Sequence, residues 1–378
     1  AGEPAKLAEA LASQQDLAKG LANGTLVRDP SRSVYRYHQL FAGPGGRAFT
    51  RKNLICAVRL SPWSEGVVRP HEASTPAGRD AELAKIRGNH AHGNPILAGF
   101  RDPPGEVDRV MRKTEGGKPT LDVTTSDGTL HRVWRVQDAE VLGKLRHLFA
   151  PKKIHMLDGH DRYEAMLAYQ EELASKQSLA MYSSANYGLA CLVNLDDPTL
   201  ATAPRHRIIR GTGVSGEAAL AGARAHFIVD KLAGAAKDLA KQHAAIADTV
   251  AHQPAFVVVF AGEPDAWKLT LSPDVSPFAE GVAVHRGMQK LDPVVADGMF
   301  IARAMPNAQV TTDVDPQRAL ATLESGADAV VIMRPLSVEQ IAHVDELGQL
   351  LPAGSTAFHP PILAGLISLV IDPDEDLV

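Results

Sequence analysis

Cysteine is almost missing from this chain: there are two in 378 residues, Cys56 and Cys191, and neither sits in a CxxC pair. Two such thiols build no disulfide framework, so the expectation is a pair of reduced, buried side chains in a cytoplasmic protein. Long apolar runs are absent as well, and no stretch approaches the roughly 20 residues that span a bilayer. The first residues, Ala1-Gly2-Glu3-Pro4, lack the basic flank and apolar stretch of a signal peptide. Aromatic residues make up only 5% of the chain, and the formal net charge is −5. An acidic chain without basic patches interleaved with aromatics offers nucleic acid or an anionic membrane no general attraction. No Walker A sequence occurs, so any use of ATP does not pass through a P-loop. HExxH and paired CxxC motifs are missing too, which removes the familiar zinc sites.

What remains is ordinary globular material, 45% hydrophobic and 22% charged. The length exceeds one ordinary core, so two domains are expected, over residues 1–178 and 179–378. Leu7, Leu11, Ala18 and Leu21 fall at helical spacing. Val34–Tyr37 and Leu54–Val58 read as strands, with Gly43-Pro44-Gly45-Gly46 as the loop or hairpin between them. A helix is predicted around residues 80–87, followed by a strand at Ile96–Phe100. Leu121–Thr125 and Leu130–Val136 flank Ser126-Asp127-Gly128, a hairpin signal. Further on, a helix near 139–148 leads to a short strand, 153–157, and a helix from Tyr163 to about Lys176. The final third alternates helix and strand, which predicts a mixed α/β fold with a second α/β domain.

Lys153–Ala165, KIHMLDGHDRYEA, is the most informative stretch. A strand end, a glycine that permits a sharp turn and a helix start bring Asp158, His160, Asp161 and Arg162 to one point. A helix N-terminus presents amide N–H groups and positive dipole, which suits a phosphate or carboxylate. The plain alternative is that Asp158 caps the helix while the other side chains are solvated. His155, Asp158, His160 and Asp161 could also ligate a metal. A substrate-bridging Mg²⁺, which needs only one or two carboxylates, is accommodated more easily than a zinc ion. In a second constellation, Arg69-Pro70-His71-Glu72 and Arg79, Glu72 sits where it could take a proton from a hydroxyl. The alternative is a surface glutamate capping the following helix. Gly211-Thr212-Gly213-Val214-Ser215-Gly216 fits GxGxxG, but the preceding Arg205–Arg210, with three arginines, makes a poor core strand for a dinucleotide site. A loop is expected there.

Taken together, five blocks resemble one family. Ser33–Gln39 is similar to its "LYVYRQ" strand, Val68–Thr75 with Arg79 to "IKPHExT…R", and Ile154–Ala165 to "YIADGHHRYEA". Ala203–Arg207 is similar to "LPTHR", and Leu351–Pro360 to "MPPKSTxFYP". They occur in family order across about residues 30–370, and the family they resemble is domain-of-unknown-function family 1015. The resemblance implies a ParB/sulfiredoxin-like N-terminal half with a nucleotide site, and an ATP-dependent kinase that phosphorylates free L-serine to O-phosphoserine. On that resemblance Glu72 is the general base, and Asp158, Gly159, His160, Asp161 and Arg162 hold nucleotide phosphates. Mg²⁺ is implied with them, on Asp158 and Asp161. His71, Arg79, His206, Arg207, Ser355 and Thr356 are implied as substrate or supporting groups. The chain departs from the pattern at Asp161, Gly354 and Pro361, where the family has a histidine and two lysines. Those changes remove positive charge, and they leave open a relative that binds a nucleotide or metabolite without catalysis.

Overall fold

In a computed structural model of the chain, residues 17–43, 46–247, 249 and 253–377 are described. The chain is mixed α/β and forms two compact units. The first comprises residues 1–70, 74–201 and 360–378, the second 71–73 and 202–359. A single cut after residue 178 does not describe them. The strand following that point and the C-terminal tail belong to the first unit, and His71–Ala73 belongs to the second.

The first unit is built on β1 (Val34–Ala42), β2 (Ala48–Arg59), β3 (Val68–Arg69), β4 (Ile96–Phe100), β5 (Leu121–Thr124), β6 (Leu130–Val136), β7 (Ile154–Asp158) and β8 (Tyr187–Asn194). They form one sheet in the order β3-β7-β4-β8-β2-β1-β6-β5. The expected hairpins are present: β1 pairs antiparallel with β2 and β5 with β6. Positions 44 and 45 of the first connection lie outside the described residues, as do Leu7 and Leu11 of the expected first helix. Its later part is helical at Leu17–Ala22. β8 runs parallel to β4 and antiparallel to β2, stitching the two halves of the sheet together.

Two helices bear on the segments singled out in the sequence. α1 spans Pro76–Asn89 and buries Leu83 and Ile86. α2 spans His160–Lys176, starting before the expected Tyr163, and buries Tyr163, Ala165, Met166 and Tyr169. These join Ile96, Met156 and Leu192 in one apolar core. Burying each such large side chain is worth about 1.5–3 kcal/mol, so the strand-to-helix turn at 158–160 is anchored from both sides.

The second unit has its own sheet: β9 (His206–Arg210), β10 (Phe227–Leu232), β11 (Ala255–Phe260), β12 (Ala266–Leu271), β13 (Gln309–Asp313) and β14 (Ala329–Ile332), in the order β10-β12-β11-β14-β9-β13. Every pairing in it is antiparallel. Phe256, Val258 and Ile209 point into a core on one face, and Val257, Val259 and Ile208 into a core on the other. Residues of β11 and β14 are buried throughout, which is why both read as unbroken apolar runs.

β9 corrects an expectation. It is not a poor core strand, because His206, Arg207, Ile208 and Ile209 are all buried. A second-unit carboxylate neutralises the arginine there, so charge in the sequence does not keep the strand at the surface. Its antiparallel pairing with both neighbours also differs from the parallel strand that a dinucleotide fingerprint requires. Thr212 in the following loop donates its backbone N–H to Asp328 Oδ2, and Ser215 caps the helix Gly216–Ala223.

Candidate functional site

The Asp158–Arg162 segment lies in the first unit. Gly159 adopts φ 89°, a left-handed conformation that turns β7 straight into α2. A Cβ there would stand 2.9 Å from Arg162 Nη1 and 3.3 Å from Ile96 Cγ2, so space and backbone both select glycine. As the N-cap residue it contributes no capping oxygen. Asp158 does not cap the helix; its Oδ1 accepts the adjacent Gly159 N–H at 2.9 Å. The Tyr163 hydroxyl donates to Ser61 O at 2.9 Å and accepts the Ser61 N–H at 3.0 Å, which fixes the first turn against the end of β2.

The four neighbouring side chains are held differently. His160 is buried at 7% exposure. Arg162 donates from Nη1 to Pro95 O at 2.7 Å, and its Nε lies 3.7 Å from Glu82 Oε2. Asp161 faces Thr75: Oδ1 accepts the Thr75 N–H at 2.5 Å, and Oδ2 accepts its hydroxyl at 3.2 Å. Thr75 is also the N-cap of α1, so the acid standing in the family's histidine position braces two helix starts. Arg79 pairs with its neighbour Asp80 through Nε and Nη2 at 3.1 and 2.9 Å and is half-buried. The first unit also carries an open groove of about 1980 Å³, lined in part by Leu54, Val58, Leu60, Leu145 and Phe149; none of residues 158–162 lines it.

Glu72 lies in the second unit and is neither a surface group nor a helix cap; Thr75 fills that role. The segment is pinned on both sides of Glu72, since Leu351 N–H donates to His71 O at 2.8 Å and Ala73 N–H donates to Leu351 O at 2.9 Å. Four donors converge on the carboxylate. Gly354 N–H reaches Oε1 at 2.6 Å. Ser355 N–H, Thr356 N–H and the Thr356 hydroxyl reach Oε2 at 3.1, 2.9 and 2.7 Å. Burial pushes the Glu72 carboxyl above its ordinary range, opposed by these hydrogen bonds and by the charge of Arg205. His71, 2% exposed, bonds through Nε2 to Thr356 Oγ1 at 2.9 Å. Because that hydroxyl spends its single proton on Glu72, His71 is the donor in this arrangement.

The donor loop is held from behind. Arg205 Nε donates to Thr356 O at 2.5 Å, Arg207 Nη1 to Gly354 O at 3.0 Å and Ser355 Oγ to Pro352 O at 2.6 Å. Arg207, 1% exposed, forms a two-pronged pair with Asp297 at 3.0 and 2.9 Å. A peptide group is planar and trans, so pulling Gly354 O one way aims the Ser355 N–H the other way, at Glu72. His206 stands beside this brace with Nδ1 accepting the Met333 N–H at 3.1 Å. Its Nε2 is buried and finds no hydrogen-bond partner among the described residues.

The structure thus brings together Glu72, His71, Ser355, Thr356 and Arg207 in the second unit, and Asp158 through Arg162 in the first. Sequence reasoning missed Arg205, Asp297 and the backbone of Gly354, although Pro352 and Gly354 around Ser355-Thr356 signal a tight turn.

Among the described residues no helix is long and apolar enough to cross a membrane. The family model described as "Protein of unknown function (DUF1015)" matches residues 3–294. The chain belongs to that family. No curated protein matches it. Among solved structures, a conserved hypothetical protein from Pyrococcus furiosus aligns over 84% of this chain and 95% of its own at 11% identity, with a TM-score of 0.43. A mutant free serine kinase in complex with AMP aligns over 85% and 92% at 10% identity, TM-score 0.42. SbnI with C-terminal truncation from Staphylococcus aureus aligns over 85% and 91% at 13% identity, TM-score 0.41. At these values the alignments relate to fold alone and assign this DUF1015 chain no activity.

Proposed function

We propose that the chain transfers a phosphoryl group from ATP to a small hydroxyl compound, with free L-serine, giving O-phosphoserine, as the first candidate. One observation carries the reading. A 17-residue helix begins on a left-handed glycine with no capping side chain, directly at a strand end, with Arg162 fixed in its first turn. Such a helix start suits phosphate oxygens. Phosphoryl transfer asks mainly for positioning and charge neutralisation, plus a base for the incoming hydroxyl. In this reading Gly159, His160 and Arg162 hold phosphate, and Glu72 takes the proton. His71, Arg207, Ser355 and Thr356 keep Glu72 in place, and Arg79 and His206 support the two segments.

A divalent cation fits at one carboxylate rather than in a cage. Asp161 has both oxygens engaged by Thr75, and in this reading Asp158, at the end of β7, is the carboxylate that would meet Mg²⁺. Among the described residues no three His, Cys, Asp or Glu side chains cluster as a metal site, and nucleotide-bound Mg²⁺ needs only one or two carboxylates. When bound, the ion supplies neutralisation of phosphate charge. The test is incubation with ATP, Mg²⁺ and L-serine, reading ADP and O-phosphoserine. No turnover by the wild type, or undiminished turnover by Glu72→Gln, removes the proposal.

A second reading, a nucleotide- or metabolite-binding relative without catalysis, is favoured by the four donors already engaging Glu72. Calorimetric nucleotide binding without turnover supports it. Asp161→His tests whether the family's histidine restores activity. Gly354→Lys is a poorer test, because Gly354 has φ 71° and a Cβ there would meet Thr312 at 3.0 Å.

A further inference from the structure

The loop at Gly354–Thr356 is organised as a receptor for an anion, and its occupant is a side chain of the same unit. Three consecutive backbone N–H groups and one hydroxyl point at one carboxylate. Glu72 is not all that holds this loop. Its carbonyls at Pro352, Gly354 and Thr356 are tied off by Ser355, Arg207 and Arg205 on the opposite side. Gly354 is held at φ 71°, and these ties stand behind the amides that point into the seat.

A carboxylate offers about four lone-pair positions; here three donors crowd onto Oε2 and one meets Oε1. Donors that stabilise the charged form also weaken it as a base, so the seated carboxylate is poorly suited to take a proton from a substrate hydroxyl. Leaving the seat without replacement would strand four partly buried donors without an acceptor. Both difficulties disappear if one carboxylate is exchanged for another, since the charge and hydrogen-bond count in the seat are then conserved.

We infer that the Gly354–Thr356 seat is a binding site for the carboxylate group of a small-molecule ligand, and that Glu72 is its resident stand-in, released when that ligand enters. The inference rests on the phosphotransferase reading for what the released Glu72 then does, and on the seat alone for what binds. It narrows the substrate class to hydroxy compounds bearing a carboxylate. It also makes substrate entry the event that frees the base. A carboxylate rather than a phosphate is assigned because the seat is already filled by the two oxygens of one carboxylate, with all four donors satisfied.

The test is calorimetric titration with sodium acetate, and separately with inorganic phosphate, at constant ionic strength. An intramolecular carboxylate competes at an effective concentration of order mM or higher, so the wild type binds acetate weakly. Glu72→Ala is expected to bind it at least about 10-fold more tightly, and adding Thr356→Val to lower that affinity again about 10-fold, the equivalent of one hydrogen bond to a charge. Glu72→Gln, which keeps the side-chain volume, serves if the alanine variant does not fold. In the wild type, saturating acetate is expected to shift the amide resonances of Gly354, Ser355 and Thr356. Equal acetate affinity in wild type and the Glu72 variants, or unmoved amides, overturns the inference. Phosphate binding without acetate binding overturns the carboxylate assignment. None of these measurements needs turnover, so loss of the kinase reading leaves them interpretable.

Discussion

Replacing Arg207 by methionine tests whether the brace behind the loop is what shapes the seat. The guanidinium is 1% exposed, forms two bonds to Asp297 at 3.0 and 2.9 Å, and donates to Arg205 O and Gly354 O at 2.8 and 3.0 Å. Removing one partner of a buried charge pair costs about 3–5 kcal/mol. Asp297 keeps 27% of its side chain in solvent, so it recovers some hydration and the lower end, about 3 kcal/mol, is expected. Urea unfolding followed by Trp267 fluorescence, with Trp63 and Trp134 replaced by phenylalanine, reports the second unit alone. Arg207 and Glu72 sit on opposite sides of the Gly354–Ser355 peptide, so Arg207→Met and Glu72→Gln should also be non-additive, with a coupling of about 0.5–3 kcal/mol. A cost below about 1 kcal/mol for Arg207→Met, or additivity of the pair within about 0.5 kcal/mol, refutes the reasoning.

Two further outcomes are expected. Burial, and next the charge of His243, hold His206 down at about 4 against an ordinary 6.5. The unfolded chain therefore takes up a proton that the folded chain refuses, and stability present above pH 6.5 is lost as pH falls toward 4. His206→Asn, which places an acceptor near the Met333 N–H, should flatten the stability–pH curve over that window by at most about 1.4 kcal/mol per pH unit; an unchanged slope contradicts the assignment. Gly78→Ala should destabilise the protein although alanine is favoured over glycine in a helix by about 1 kcal/mol. The new methyl would collide with Asp161 Oδ2 and the Thr75 hydroxyl. A raised melting temperature would show that Asp161 is not pinned there.

Local structure was legible wherever short-range chemistry decides it. Alternation placed β1, and Ser126-Asp127-Gly128 marked the turn between β5 and β6. The glycine in Asp158-Gly159-His160 announced the strand-to-helix turn, because few other residues tolerate φ 89°. Glu72 and Ser355-Thr356 were each visible as chemistry-bearing segments. That one fills the other was not, since they lie 282 to 284 residues apart and nothing local encodes the contact. The extent of β9 was misjudged for a related reason. Three arginines argue for solvent until Asp297, 90 residues away, is known to meet Arg207.

By itself the sequence determined the elements, their turns and the residue types available for binding anions. Only the tertiary structure decided that β8 and the C-terminal tail join the first unit, that His71–Ala73 joins the second, and that Asp161 is spent on Thr75. Backbone propensity and hydrophobic period act over a few residues, whereas burial and charge pairing depend on partners that distant segments bring to the same place.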